Sequence, residues 1–393
     1  MKPVVLLMFV LSLVCAAMAH AASSDLQMEA LSNLSYPLKD APNGKVPLKG
    51  GRFTAPLKDS AARFEARLLT PIALSSWRGK EVAAVVLSYS SGGSGVFRRL
   101  FFLTKDEKAW RPKAWTCLGD RVQIRYLGLE HHGKIVVGMI NQGPKDPLCC
   151  PTQKQVRVYI VKGKKLLPKK TVPTQIFPDQ IHFARNISSG DIKAILVPEQ
   201  GFSAHGITKV APYPSHVALM IDGKIWLRIL PAEAYKNMWM KKNDFTIQIA
   251  IKRIERIIKG KETDFTPPLP ILPPQPGIND LAARVELIDL AQGRGIGFIG
   301  RISKTFSCVK PGDLKYFFSG LSNKERFVLS FSHEISIKKL PQGTWSCENS
   351  ISGLRSQIAK VTELLKSADD NRFRPRISML KKFLASISIE DGK

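Results

Sequence analysis

Glu81-Val82-Ala83-Ala84-Val85-Val86-Leu87 is the stretch on which the fold turns. It is an uninterrupted apolar run, rich in β-branched valine and short for a helix, and it reads as a buried strand. A second run, Val96 to Leu103, follows Ser91-Gly92-Gly93-Ser94-Gly95, and Val122 to Leu129, Lys134 to Ile140 and Gln155 to Val161 come after it at short spacing. Val156, Val158 and Ile160 alternate with Arg157, Tyr159 and Val161, the pattern of a half-buried strand. The breaks carry turn residues, such as His132-Gly133 and Gly143-Pro144. Short strands with polar turns predict an antiparallel sheet or sandwich.

Composition fits that reading. The chain has 393 residues, of which 44 % are hydrophobic, enough for a real core. Wholesale disorder, a collagen-like fibre and a single disulfide-stapled mini-domain are excluded, and two or three domains are expected. The fold class expected is α+β, predominantly antiparallel β as a sandwich or open sheets, with a C-terminal helical hairpin.

Four motifs stand in order: Asn33-Leu34-Ser35-Tyr36-Pro37, Ser91-Gly92-Gly93-Ser94-Gly95-Val96-Phe97, Leu118-Gly119-Asp120-Arg121-Val122-Gln123-Ile124 and Gly143-Pro144-Lys145-Asp146-Pro147-Leu148-Cys149-Cys150-Pro151-Thr152-Gln153. Residues 31–161 thereby resemble a family of exported bacterial proteins and lipoproteins whose biochemical role is not established. The resemblance implies an exported address and a β fold, and no activity. Members of that family carry an Asp/Asn-rich turn before the first buried strand. Here that place reads Ser75-Ser76-Trp77-Arg78-Gly79-Lys80-Glu81, and one carboxylate among cations does not satisfy calcium, which takes six to eight oxygens. No metal and no cofactor are expected.

The rest of the chain divides by composition. Residues 1–21 read as a signal peptide: Met1-Lys2, an apolar run from Val4 to Ala19, and small residues for cleavage before His20 or Ala22. Cys15 does not sit in a lipobox, since Ser12 and Val14 stand where Leu and a small residue belong. The mature chain is expected to be periplasmic or secreted, with no transmembrane helix. Residues 22–161 form the β-rich domain of the resemblance. Residues 162–262 read as a basic, β-rich α+β domain with strands Ile192 to Val197, Val217 to Ile221 and Ile225 to Leu230, the last two joined at Asp222-Gly223. Phe245, Ile247, Ile249 and Ile251 alternate as a strand would, with a helix expected after Ile251. Residues 263–278 hold Thr266-Pro267-Pro268-Leu269-Pro270-Ile271-Leu272-Pro273-Pro274-Gln275-Pro276-Gly277, read as a polyproline linker and a domain boundary. Residues 279–393 begin with β-hairpins, Arg284 to Leu290 and Gly297 to Ile302 flanking a glycine-rich turn. They end in two helices, one with Leu354, Ile358, Val361 and Leu365 and Ser352 as its cap, the other with Ile377, Leu380, Leu384 and Ile387 after Pro375.

Cleavage of the signal leaves an odd number of cysteines in a compartment that permits disulfides. Cys308 and Cys347 stand apart from the rest and are each other's expected partners; closing that loop stabilises the fold by roughly 3–4 kcal/mol. For Cys117, Cys149 and Cys150 two arrangements are open: Cys117 bonded to one of the adjacent pair, or the pair closed on itself.

Catalytic constellations fall short of their chemistry. Gly295-Ile296-Gly297-Phe298-Ile299-Gly300 matches a dinucleotide fingerprint but no helical stripe follows to face a pyrophosphate, so a hairpin turn is expected. Ser336-Ile337-Lys338-Lys339 has the spacing of some acyl-transfer enzymes without the helix or companion motifs. A Cys150–His132 pair is the one thiol arrangement. A non-enzymatic protein is therefore expected, with a Cys150 or Ser336 hydrolase as an alternative.

Charge is the remaining signal: 59 Lys plus Arg against 32 Asp plus Glu, a formal net charge of +27. Lys162, Lys164, Lys165, Lys169 and Lys170 form one basic run, and Lys241, Lys242, Arg253, Arg256, Lys259 and Lys261 another. The expected function is binding of an anionic envelope polymer or membrane surface through these groups. An exported, acidic protein partner is the second expectation, bound by a contact loop of Asp120, Arg121, Asp146, Cys149 and Cys150. Nucleic acid is disfavoured, because no aromatic-interleaved motif accompanies the lysines.

Overall fold

The structure is a computed structural model that describes residues 25–390 except 59, 108, 131–132, 148, 185–190, 203–210, 306, 339–340, 342 and 349. The signal-peptide expectation lies outside the described residues. Two units are distinguished, Met1–Thr171 and Val172–Lys393.

The first unit is built on one nine-stranded sheet: β1 (Arg52–Pro56), β2 (Arg63–Trp77), β3 (Lys80–Ser91), β4 (Phe97–Asp106), β5 (Ala109–Asp120), β6 (Gln123–Glu130), β7 (Lys134–Asn141), β8 (Gln153–Lys162) and β9 (Lys165–Pro173). The order is β1-β2-β3-β4-β5-β9-β8-β7-β6. Parallel pairing occurs where β9 meets β5, at Lys165 and Trp115. The edge strand β6 packs back against β2, so the sheet is rolled.

That roll explains the run at Val82. Consecutive side chains of a strand point to opposite faces. Ala83, Val85, Leu87 and Tyr89 enter a core with Phe64, Phe101 and Trp110, roofed by Leu31, Tyr36, Leu38, Val46 and Leu48. Val82, Ala84 and Val86 enter the interior of the roll with Leu100, Phe102, Leu127 and Val137. Both faces are covered, so an alternating sequence would place a polar side chain in one core. Each fully buried Val, Leu or Phe contributes about 1.5–3 kcal/mol.

Strands β1, β2, β5 and β9 lie outside the apolar runs of the sequence. Pro71 in β2 falls where the register with β3 slips, and Pro112 in β5 lies opposite Leu103 beside another slip. Proline lacks the ladder donor, so it is accommodated where pairing is already irregular. β9 was expected to open a second domain at residue 162. It completes the first sheet instead, and the division falls between Thr171 and Val172.

The second unit is a seven-stranded antiparallel sheet: β10 (Ile192–Val197), β11 (His216–Ile221), β12 (Lys224–Pro231), β13 (Ile278–Leu290), β14 (Gly293–Ser303), β15 (Lys315–Ser322) and β16 (Phe327–Glu334). Its order is β10-β11-β12-β16-β15-β14-β13. The β11–β12 turn has φ of 47° at Asp222 and 77° at Gly223, the left-handed pair that a two-residue hairpin favours.

Three expectations are corrected here. Residues 263–278 are not a boundary between a 162–262 domain and a 279–393 domain, because β12 hydrogen-bonds to β16 across them. The proline segment forms neither helix nor ladder, yet it is docked: Leu269 and Leu272 are buried. The Leu269 amide donates to Asn279 Oδ1 at 2.9 Å, and Ser330 donates its hydroxyl to the Leu272 carbonyl. A segment with few backbone N–H groups leaves few donors to satisfy when it is buried.

Phe245 to Ile251 is not a strand. After α1 (Ala232–Met240), helix α2 spans Thr246–Ile258, and the Thr246 amide is held by Asp244 Oδ1 at 2.9 Å. Ile247, Ile251 and Ile254 fit a period of two less well than they fit i, i+4, i+7, and with Ile257 they are the buried face. The same helix leaves Phe245 and Ile249 outside.

Gly295 to Gly300 is not a turn. It lies inside β14, where a Cβ on Gly295 would meet Phe318 Cζ at 2.5 Å and one on Gly300 the Leu281 carbonyl oxygen at 2.7 Å. These glycines let neighbouring aromatic rings lie across the strand. At the C-terminus the helices expected are present. Both α3 (Ile351–Ser367) and α4 (Ile377–Ala385) pack on β13. The cap of α3 is Ser350 and not the expected Ser352, since it is the Ser350 hydroxyl that accepts from the Gly353 amide at 3.0 Å. The fold is α+β and mostly antiparallel, as the pattern of strands implied, with a rolled sheet and an open one.

Candidate functional site

The contact-loop residues brace turns. Asp120 accepts from the Val96 amide at 2.7 Å and from Arg121 Nη1 at 2.5 Å, while Arg121 Nη2 reaches the Ser94 carbonyl at 2.6 Å. Together they hold the glycine-rich β3–β4 turn. Asp146 accepts from the Gly143 amide at 2.8 Å and from the Thr152 amide and hydroxyl at 2.7 Å each. Those donors stabilise the anion and hold its pKa below the usual carboxylate range. Asp146 thus closes the loop on which Cys149 and Cys150 form an adjacent-residue disulfide. Cys308 pairs with Cys347 as expected, and Cys117 is a free, exposed thiol. Of the two arrangements left open for the first three cysteines, the closed adjacent pair is the one observed.

The catalytic alternatives are dispersed. His131 and His132 lie outside the described residues. Ser336 sits on a two-residue strand paired with Phe373–Arg374, not on a helical turn, and Lys339 lies outside the described residues.

The two basic runs belong to different units. Lys162, Lys164, Lys165, Lys169 and Lys170 lie on the β8–β9 turn and on β9 of the first unit. Among the described residues, the exposed Lys162, Lys164, Lys165 and Lys169 make no ion pair. Half of the second run is paired: Arg253 Nε lies 2.7 Å from Glu262, Arg256 shares that carboxylate at 3.8 Å, and Lys259 meets Glu325 at 3.0 Å. Lys241, Lys242 and Lys261 remain unpaired among the described residues, and so does Lys252. Beside them the α1–α2 corner exposes Met240 at 38 %, Phe245 at 49 % and Ile249 at 65 %. Phe245, Ile249 and Lys252 fall at i, i+4 and i+7, on one outward stripe.

A hollow of about 430 Å³ on the seven-stranded sheet was not anticipated. Strand β12 places Trp226 and Arg228 on its floor, β16 supplies Ser330 and Ser332, Lys304 and Lys315 stand nearby, and Leu272 to Pro276 form a wall. Among the described residues, no carboxylate lines it. Arg228 Nη1 lies 2.7 Å from His216 Nε2, and the ring of Tyr213 lies 4.9 Å from the guanidinium carbon. His216 is completely buried and its Nδ1 is 2.8 Å from the Pro214 carbonyl. Burial, with Arg228 second, pushes the imidazole down to about 3, so it is neutral: Nδ1–H donates to Pro214 and Nε2 accepts from Arg228. Desolvation lowers the pKa of Arg228 too. The signal legible beforehand was the alternation of Trp226 and Arg228 with Leu227 and Ile229, which puts a cation on an inner face of a strand.

No family model matches the chain, and neither a curated protein nor a solved structure matches it. Among the described residues, no helix is long and apolar enough to cross a membrane.

Proposed function

We propose that this chain is a non-enzymatic binding protein of the exported compartment that docks on an anionic membrane surface through the α1–α2 corner. The observation that carries the reading is the combination there: Phe245 and Ile249 are 49 % and 65 % exposed, beside Lys241, Lys242 and Lys252, which have no carboxylate partner among the described residues. Apolar tips enter the acyl boundary while ammonium groups meet anionic headgroups, each lysine adding about 1 kcal/mol near such a surface. Lys162, Lys164, Lys165 and Lys169 add attraction of the same sign, felt over about 8 Å at physiological ionic strength. The resemblance of residues 31–161 to exported proteins supports the address.

The test is co-sedimentation of the mature chain with phosphatidylglycerol vesicles, phosphatidylcholine vesicles and purified peptidoglycan across a salt series. Binding to the anionic vesicles alone, weakening with salt, is expected. Lys241→Glu with Lys242→Glu should cost more than tenfold at low salt, since two reversed charges change the attraction by over about 2 kcal/mol. Phe245→Ser with Ile249→Ser should weaken binding at every salt concentration. Binding to peptidoglycan that ignores the Phe245 and Ile249 changes would replace the membrane with an anionic polymer. No binding to any anionic material at low salt would sink both.

A further inference from the structure

Among the described residues, Arg228 is a cation without a carboxylate counter-ion. The contrast within the same sheet is Arg301, which is fully buried and held by Asp280 through two bonds of 2.8 and 2.7 Å. Arg228 has instead uncharged partners, the neutral imidazole of His216 on one nitrogen and Tyr213, whose side chain hydrogen-bonds it and whose ring lies against it. Its remaining donors belong to a guanidinium whose fork matches a carboxylate or a phosphate. Lys304 and Lys315 add two more cations around the same hollow, and Ser332 adds a hydroxyl, while that of Ser330 is donated to the Leu272 carbonyl and holds the proline wall. A positive, partly desolvated hollow with no acid among its described lining residues is complementary to an anion.

Shape narrows the class. About 430 Å³ lies within the range of small-molecule sites and exceeds what a bare oxyanion needs. Trp226 and the Pro273–Pro276 wall offer apolar surface for a body attached to the anionic head. An adjoining hollow of about 310 Å³ shares Trp226 and Lys315 but also carries Asp222 and Glu334, so the head belongs on the Arg228 side.

We propose that this hollow binds a small organic anion, with its carboxylate or phosphate on Arg228 and Lys304 and its planar or apolar body against Trp226 and the prolines. His216 acts as a positioning residue: it aims the guanidinium and, being neutral, does not compete for the anion. The site is independent of the membrane-docking corner, which uses other residues.

Isothermal titration of the full mature chain with phenyl phosphate, benzoate, inorganic phosphate and benzyl alcohol tests this. Phenyl phosphate or benzoate should bind saturably, one per chain, and the stronger of the two identifies the head group. Inorganic phosphate should bind at least tenfold more weakly, and benzyl alcohol not at all. Arg228→Gln should lower affinity at least tenfold. Lys304→Gln with Lys315→Gln, both outside the core, should lower it several-fold in a chain whose fold is unperturbed. Lys164→Glu with Lys165→Glu should leave it unchanged, which separates the hollow from general attraction to a cationic surface. The proposal is overturned by the absence of saturable binding up to about 10 mM. It is equally overturned by binding indifferent to the Arg228 and Lys304/Lys315 changes, or by equal affinity for inorganic and phenyl phosphate.

Discussion

The interiors of the two units treat polar groups in opposite ways. In the nine-stranded sheet the buried polar side chains, among the described residues, are Thr104 and Gln155, both uncharged. Its two cores are otherwise aliphatic and aromatic, and its half-buried cations Arg98 and Arg99, on β4, reach Ser88 and Asp40. The seven-stranded sheet buries Arg301 and His216 completely, with Asn279, Ser319, Ser330 and Gln357 beside them. Burying charge costs several kcal/mol per ion unless partners replace water. The first unit limits that cost to the half-buried Arg98 and Arg99, whereas the second buries Arg301 completely against Asp280, and at Arg228 compensates the charge only in part. A sheet with one incompletely compensated cation is where a ligand has most to contribute.

The largest expected effect tests the dry interior. Phe101→Ala removes a fully buried ring between sheet and roof and should destabilise the first unit by about 3–5 kcal/mol, read by denaturant unfolding and by faster amide exchange in β3 to β5. An effect under about 1 kcal/mol would mean that the roof over Phe101 collapses readily and that the face is less closely packed than its burial implies.

The two arginines of the second sheet should then separate. Asp280→Ala leaves Arg301 buried without its two strong bonds and should cost about 3 kcal/mol. Arg228→Gln forfeits the hydrogen bonds to His216 and Tyr213 but relieves a desolvated charge, so its stability change should stay within about 2 kcal/mol. Equal costs for the two substitutions would erase the distinction between a structural and a binding arginine.

His216 supplies the pH dependence. Its pKa falls from an ordinary 6.5 to about 3 in the folded protein. Below pH 6.5 the unfolded chain takes up a proton that the folded chain refuses, so stability is lost as pH falls from 6.5 towards 3. The slope from this group approaches about 1.4 kcal/mol per pH unit. Unfolding curves at pH 7 and pH 5 should differ accordingly in exchange of β11 and β12 amides, and His216→Gln should flatten the difference. A slope unchanged by that substitution would place the titration elsewhere.

The smallest structural effect belongs to the free lysines. Lys164→Glu with Lys165→Glu touches exposed groups with no ion pair among the described residues, so the melting temperature should not move. What should fall is association with phosphatidylglycerol vesicles at low salt. The same reversal at Arg253 and Arg256 removes pairs with Glu262 and should lower stability more than it lowers binding.

The sequence by itself determined the strand-rich class, the buried run at Val82 to Leu87, the hairpin at Asp222-Gly223, the two C-terminal helices and the Cys308–Cys347 pair. Each is a local or periodic property: alternation, a turn that needs positive φ, an apolar stripe, or two cysteines with no other partner nearby. Only the tertiary structure decided the rest. Whether the proline segment separates domains depends on β12 finding β16 on its far side, a pairing with no signature in the segment itself. Whether a lysine or arginine is free depends on carboxylates such as Glu262 and Glu325, which arrive through folding. The hollow at Arg228 is assembled from β12, β14, β15, β16 and the proline wall, residues far apart in the chain. Local patterns record which face of an element is buried; which elements meet, and which charges they leave uncompensated, is fixed by packing over the whole sheet.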